Sequence, residues 1–511
     1  MALQTKKTVM AVVEEINEGV PVAPSSGNDY FATQEGFELV PQIDTLDNAE
    51  LTGSLGFAKP IQGMENPTAS FSHYLRGSSF EGVESDFALL IYAAFGDKTV
   101  NAVEYDTIAA STAGDADAAA IIKVDAAEGL SHYRGQALLI KDSGLGHNYS
   151  VRNIESISTD DLILAFNLDD APGVGINLGK AITYFPGEAH PTLSIWNYRA
   201  NGGAIELISG AKVTEMSVEI TAGDLINAAF SFEGMKFYFD SLLVDASNKY
   251  LDFDIGGLEL NAEIAIGMYR DPYDLAGAIE RAMDDLSADE ITVSYDKSNG
   301  KYNIASDGIT LNLLWKTGVH GSNNTDTHIG SLIGYSDVAD DAAATDYDGD
   351  LAIDITSPYT PIVDSADPLV AKANECLMGD FADKDCICAA TVGFTLANSK
   401  VNEPCVCSDT GKSGTEITGR EVTVSLTGLT DSHEQAEKFK RFRTNQKTQF
   451  AYTAGLKVGG NWVAGSIVNL FIPSATITDF KLGDLDGMVS YEISLKAYVE
   501  GGLDEVYLNN L

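Results

Sequence analysis

The most reactive side chains of this chain crowd into one short stretch. All five cysteines lie between Cys376 and Cys407, and four form two doublets, Cys386-x-Cys388 and Cys405-x-Cys407. Residues i and i+2 of a β-strand point to one face, so each doublet presents two thiols side by side. Three chemistries fit: a four-thiolate zinc site, disulfides, or free thiols. Zinc sites usually space thiolates Cys-x2–4-Cys, so these doublets are off pattern. Disulfides need an oxidising compartment, which a protein folded in a cytoplasm reaches only after release. The three readings stay open. No metal is expected, and Cys386, Cys388, Cys405 and Cys407 are the candidates if there is one.

Other constellations fall short of their chemistry. The serine-hydrolase elbow Gly-x-Ser-x-Gly is absent. His433-Glu434 opens like a zinc-protease helix, but Glu437 stands where the second histidine belongs. Gly411-Lys412-Ser413 resembles the end of a phosphate-binding loop, yet Val406 occupies the position of its first glycine. Asp346-Tyr-Asp348-Gly-Asp350 and Asp484-Leu-Asp486-Gly487 carry calcium-type oxygens without the EF-hand order and its closing glutamate. Short Asp-Gly turns form without an ion. Among 75 acidic residues no catalytic carboxylate pair stands out. The expectation is a protein that is not an enzyme and has no cofactor.

The elements that would position such groups are mostly strands. Short Val/Ile/Phe/Tyr runs alternate with Gly, Asp and Asn clusters, the pattern of an all-β chain rich in turns. Hydrophobic residues make up 44% of the 511, enough to build real cores. The formal charge of −43 disfavours gripping nucleic acid or an anionic membrane. The apolar run near the N-terminus stops before Glu14 and Glu15, too short for a secretory signal, and no stretch approaches a membrane span.

Three helices are expected. Asp86–Phe95, stopped by Gly96, reads as a short buried helix. Asp271 caps a helix over Tyr273–Leu286, with Pro272 in its first turn. The third begins at Asp431-Ser-His-Glu434 in a capping-box arrangement. Its apolar stripe is Ala436, Phe439 and Phe442. Lys438, Lys440, Arg441, Arg443 and Lys447 give it the densest basic cluster in an acidic chain. Such a cluster is either a solvated face or a surface that docks acidic groups of a neighbouring subunit through Lys438, Arg441 and Arg443. A failure of strict alternation near Glu215 predicts a bulge in the strand Ala211–Ile220. Asp337–Asp350, rich in Asp and Ala, reads as a loop.

Composition shifts divide the chain into one β domain, residues 1–100, 188–237 and 351–511, interrupted by a small β module at 101–187 and an α+β module at 238–350. Both interruptions fall in loop-like junctions, where insertion is best tolerated. The two modules are expected to be peripheral.

The first and last hundred residues together resemble the phage tail tube protein family of long-tailed phages. The resemblance lies in Glu15-x-x-x-Gly19-x-x-x-x-Pro24, Glu50-Leu-Thr-Gly53, Lys59-Pro-Ile-Gln-Gly63-Met-Glu65-Asn-Pro-Thr68 and Phe95-Gly96. It continues through Thr214–Ile220 with Ala228–Gly234, Gly419–Gly428, Leu470-Phe-Ile-Pro473 and Asp504-Glu-Val-Tyr507. It implies a β-barrel or sandwich with one flanking helix, closing into stacked, hexameric rings around a lumen. It also implies self-association, contacts with tape-measure, tail-terminator and distal tail proteins, and double-stranded DNA passing without specific binding or any membrane step. Synthesis in the host cytoplasm and a final place in the virion tail follow. An acidic lumen with the third helix outside it would keep DNA from sticking. Two rival readings are another virion or surface structural protein (decoration, capsid or adhesin) and a carbohydrate-active β enzyme.

Overall fold

The computed structural model describes residues 5–50, 59–107, 120–125, 128–142, 149–169, 171–361, 366–379, 384–430 and 434–511. The fold is mainly β, with three α-helices among the described residues. Its centre is an 18-stranded hydrogen-bonded network. Strict alternation builds its strands. Thr68–Tyr74 turns Ala69, Phe71 and His73 inward, and Asn227–Glu233 turns Ala228, Phe230 and Phe232 inward. The two pair antiparallel with Phe71 opposite Phe230, and Phe71 stacks on Phe232 at 4.9 Å. Each fully buried Phe contributes about 1.5–3 kcal/mol.

Two long strands change partners along their length. Ala204–Thr221 pairs through its first half with Leu193–Arg199 and Lys236–Phe239, and through its second half with Asn227–Glu233 and Ala389–Pro404. The predicted bulge falls between Val213 and Glu215, where the strand changes partners. Asn461–Leu485, 25 residues long, pairs first with Thr448–Val458 and Tyr507–Asn510, then with Met488–Ala497. Its bulge lies between Ile477 and Asp479. One core fills the space between the sheets, with Phe230, Phe232, Phe394, Phe450 and Leu495 at its centre.

Helix α1, Ala88–Phe95, is buried on nearly every side and ends at Gly96, whose left-handed φ of 96° no β-carbon would favour. Arg420 donates to the carbonyls of Phe95 and Gly187, satisfying the helix end.

A six-stranded sheet occupies Tyr105–Leu178. Leu138 and Ile140 join its own core with Ile122, Ile154, Leu162 and Leu164. Their neighbours Ala137 and Leu139 point the other way, onto Trp462, Ile467 and Leu511 of the central network. The segment leaves and returns through paired strands, with Asn101 opposite Ala181.

Residues 242–348 form small sheets around a separate core built on Phe253, Leu275, Ile279, Met283, Tyr302 and Trp315. Helix α2, Pro272–Asp284, starts where Asp271 accepts a hydrogen bond from the Asp274 amide at 2.8 Å. The expected loop Asp337–Asp350 is not a loop throughout. Asp341–Ala344 pairs with Leu311–Leu313, and Asp346–Asp348 pairs with Lys301–Ser306. Ala and Asp have low strand propensity. The open edges recruit them, and Tyr347 pins them, its hydroxyl donating to the Leu311 carbonyl and accepting from the Ala344 amide. Both ends of the segment rest on one hairpin turn. The Asp240 amide reaches the Ile205 carbonyl at 2.7 Å, and the Ser357 amide reaches the Asn201 side chain at 2.9 Å.

Candidate functional site

The two thiol doublets do not form one site within a chain. Strand Ala389–Pro404 begins directly after Cys388 and ends directly before Cys405. Its 16 residues, at about 3.3 Å each, set the doublets about 50 Å apart. A four-thiolate centre on Cys386, Cys388, Cys405 and Cys407 of one chain is therefore excluded. At one end Ile387 is buried while Cys386 and Cys388 face outward together. At the other, Cys405–Ser408 makes a tight turn, with the Ser408 amide on the Cys405 carbonyl and the Cys405 amide on the Gly411 carbonyl. Cys407 is exposed and Val406 projects completely into solvent. Cys376 is buried, which pushes its thiol pKa far up and leaves it inert.

Lys412, the lysine of the phosphate-loop lookalike, points inward. Its Nζ donates to Asn66 Oδ1 at 2.8 Å and to the Gly234 carbonyl at 2.9 Å. Burial, with the Lys400 charge beside it, brings its pKa down to about 8. It holds the hairpin base and is not presented to a phosphate. In Asp346–Asp350, Asn303 donates to both Asp346 and Asp348, and Asp350 accepts from the Ser336 amide. In the second Asp-Gly turn the Gly487 amide donates to Asp484 at 3.0 Å. These carboxylates have protein donors as partners. His433 lies outside the described residues, as does Asp431 of the expected capping box.

Sequence reasoning missed two histidine sites. Asp326, His328 and Asp337 cluster closely enough for a metal. The Gly330 amide donates to His328 Nδ1 at 3.1 Å, so the ring proton of the neutral tautomer sits on Nε2, 3.7 Å from Asp326. A protonated Nε2 is not a ligand, and 3.7 Å to Asp326 is beyond hydrogen-bond reach. Buried Asp252 accepts from His320 Nδ1 at 2.8 Å, and His320 stacks on Tyr250 at 3.7 Å. The His320 amide donates to the same carboxylate, so the pair clamps a turn. Among the described residues no Ser, Thr or Cys shares a hydrogen bond with that ring. Neither cluster had a sequence signal, because its members are brought together only by the fold.

Helix α3, Glu434–Thr444, turns a different side inward from the one expected. Lys438 and Arg441 are each 2% exposed, whereas Phe439 is 48% exposed and Ala436 is exposed. Phe442 is half-buried against the central core, and Arg443 is exposed. The reason is local. Lys438 Nζ lies 5.0 Å over the Tyr491 ring, and Arg441 pairs with Glu437 at 3.0 Å. Long basic side chains bury their stems well, so they compete with Phe for such a surface. Phe439 leans on Phe480 at the rim. Lys438 and Arg441 are thus intrachain packing residues, and Arg443 alone of the three basic candidates faces outward.

Sheet edges make up much of what remains exposed. Among the described residues Glu38–Val40 pairs only with Thr68–Tyr74, and Gly96–Asn101 only with Ala181–Pro186. Free edges template pairing with another chain. Leu482, Met488 and Val489 protrude at a hairpin end as exposed apolar residues. No helix among the described residues is long and apolar enough to cross a membrane.

These features define a β-rich protein with open sheet edges at Glu38–Val40 and Gly96–Asn101. A family model described as phage tail tube protein matches residues 5–262, half of the chain. The chain belongs to the phage tail tube protein family. That match includes Glu15–Pro24, Lys59–Thr68 and Ala228–Gly234 and ends before the C-terminal motifs. Among solved structures, the SPP1 tail tube determined by solid-state NMR and cryo-EM is 12% identical, covering 27% of this chain and 77% of that one with a TM-score of 0.19. At that score the likeness carries no argument. No curated protein matches.

Proposed function

We propose that this chain is the repeating subunit of a phage tail tube, closing into hexameric rings that stack into the conduit for genome delivery. Family membership over residues 5–262 carries the reading. The open edges at Glu38–Val40 and Gly96–Asn101 support it, because ring closure can join such edges between copies. The formal charge of −43 supports a lumen that repels phosphate, so double-stranded DNA passes without specific binding. The chain has no catalytic role in this reading. Its partners are itself and, at the tube ends and interior, the tail-terminator, distal tail and tape-measure proteins. It is made in the host cytoplasm and ends in the virion tail. The segment 238–350 is an accessory module on the tube domain, whereas the segment 101–187 is a module docked into its packing. The basic helix α3 lies away from the lumen, with Arg443 turned to an acidic neighbour.

Negative-stain imaging of purified protein tests this. Rings or tubes are the expected result. A monodisperse monomer at high concentration overturns it.

A further inference from the structure

Strand Ala389–Pro404 carries a complementary feature at each end. At its end, the Cys405–Ser408 turn presents Val406, a fully exposed apolar side chain held between two cysteines. At its start lies a groove of about 330 Å³ lined by Ile220, Ala371, Cys386, Cys388, Val392 and Tyr452, among others. The groove is open, mostly apolar at these positions, and carries the other thiol doublet on its wall. Exposed Glu403 stands beside the tip, and exposed Lys372 follows the lining residue Ala371 in sequence.

One chain cannot bring these ends together, since the strand between them spans about 50 Å. A second copy displaced along the strand direction can. The tip is rigid enough to act as a plug. The Cys405 amide and Ser408 amide close its turn, and buried Lys412 ties its base to Asn66 and Gly234. An exposed valine gains burial only by leaving water, and the groove offers apolar walls, with the exposed Lys372 next in sequence to its lining for Glu403.

We propose that the Cys405–Ser408 tip of one copy seats in the Cys386/Cys388 groove of the next copy along the tube, so that four thiols from two chains line one shared pocket. This rests on the tube reading above. It explains why the four doublet cysteines, three exposed and Cys405 half-buried, lie at the two ends of a single strand. In the stacked assembly they face one another, and each chain uses its tip once and its groove once.

The test uses full-length protein, assembled and imaged, then treated with the thiol oxidant diamide and run on a non-reducing gel. Wild type should give a ladder of cross-linked chains. Cys405→Ser/Cys407→Ser and Cys386→Ser/Cys388→Ser tubes should each give none. Tubes co-assembled from the two double variants should stop at dimers, because each chain then has one usable end. Val406→Asp, at a fully exposed position, should leave the fold intact and shift tubes toward single rings. Tubes without cross-links in wild type overturn the proposal and leave the tube function standing. Cross-links that persist in either double variant also overturn it, since they would join like ends. Failure of wild type to form any ring or tube is a failure of the function itself, and the proposal falls with it.

Discussion

The Tyr105–Leu178 sheet uses both of its faces, whereas the 242–348 segment is built around a core of its own. In the first, Leu138 and Ile140 serve the local core while Ala137 and Leu139 pack on Trp462 and Ile467. A buried polar network runs along the same contact. Asn153 donates to Asn469 at 2.7 Å, Asn469 donates to Thr453 at 2.9 Å, and Asn509 accepts from Thr183 and the Ala137 amide. In the second, Trp315 and the α2 face close an independent core, and the ties to the central network are few. Arg270 reaches Glu65 at 3.1 Å, and the Phe239 amide reaches the Arg270 carbonyl. Two segments that look alike as interruptions of the sequence are therefore unlike in dependence. One shares its packing with the central network, and the other is attached to it by few contacts.

Deletion should show the largest contrast. Replacing residues 242–355 with a short Gly/Ser linker should leave a soluble chain that still assembles, because both junctions rest on the 199–205 hairpin. Replacing 104–178 should give insoluble protein, because Trp462, Phe471 and Tyr507 lose their cover. Soluble assembled product from the second deletion would break the comparison. Next, Trp315→Ala should cost about 3–5 kcal/mol. Calorimetry should show it as an early separate transition, with the main transition unmoved.

Asn509→Ala should cost about 1–3 kcal/mol by stranding buried partners. Here the docked sheet and the central network should melt together at a lower temperature; separate transitions would contradict the shared packing. Asp271→Ala removes a helix cap worth about 1 kcal/mol. It should lower only the early transition.

The smallest effect concerns pH. Lys447 donates to Glu500, and with Ser474 and Arg134 it holds that carboxyl near 2. Arg134 also binds Glu155 and Asp504, so the cluster joins the docked sheet to the central network. A depressed carboxyl stabilises the fold above its unfolded pKa and loses that contribution as pH falls through its folded value. Wild type should therefore exceed Glu500→Gln in stability above about pH 4.5, with the gap closing toward pH 2. The same stability gap at pH 6 and pH 2 would remove Glu500 from the docking account.

What was legible in sequence was what repeats locally. The failure of alternation gave the bulge at Glu215, and Asp271-Pro272 gave the start of α2. What was hidden depended on distant partners. The Asn153, Asn469 and Asn509 network has no periodicity, because each member satisfies an atom far along the chain. The side chains of α3 misled for a related reason: an aromatic ring from Tyr491 made Lys438 the better inward residue. The separation of the cysteine doublets was hidden in the same way. Sixteen residues separate Cys388 from Cys405, close in sequence, but an extended strand converts that separation into about 50 Å.

The long strands Ala204–Thr221 and Asn461–Leu485 have a mechanical consequence. Each is a single covalent backbone held by hydrogen-bond ladders to different partners along its two halves, so a pull along it is shared by both. Bonds loaded in shear must break together, whereas a hairpin peeled from its end opens one rung at a time. A subunit strung on two such backbones resists stretching along them and yields more readily to bending across them, at the bulges between Val213 and Glu215 and between Ile477 and Asp479. Stiffness along one direction with compliance across it is what a long, flexing, unbroken column demands of every unit in it.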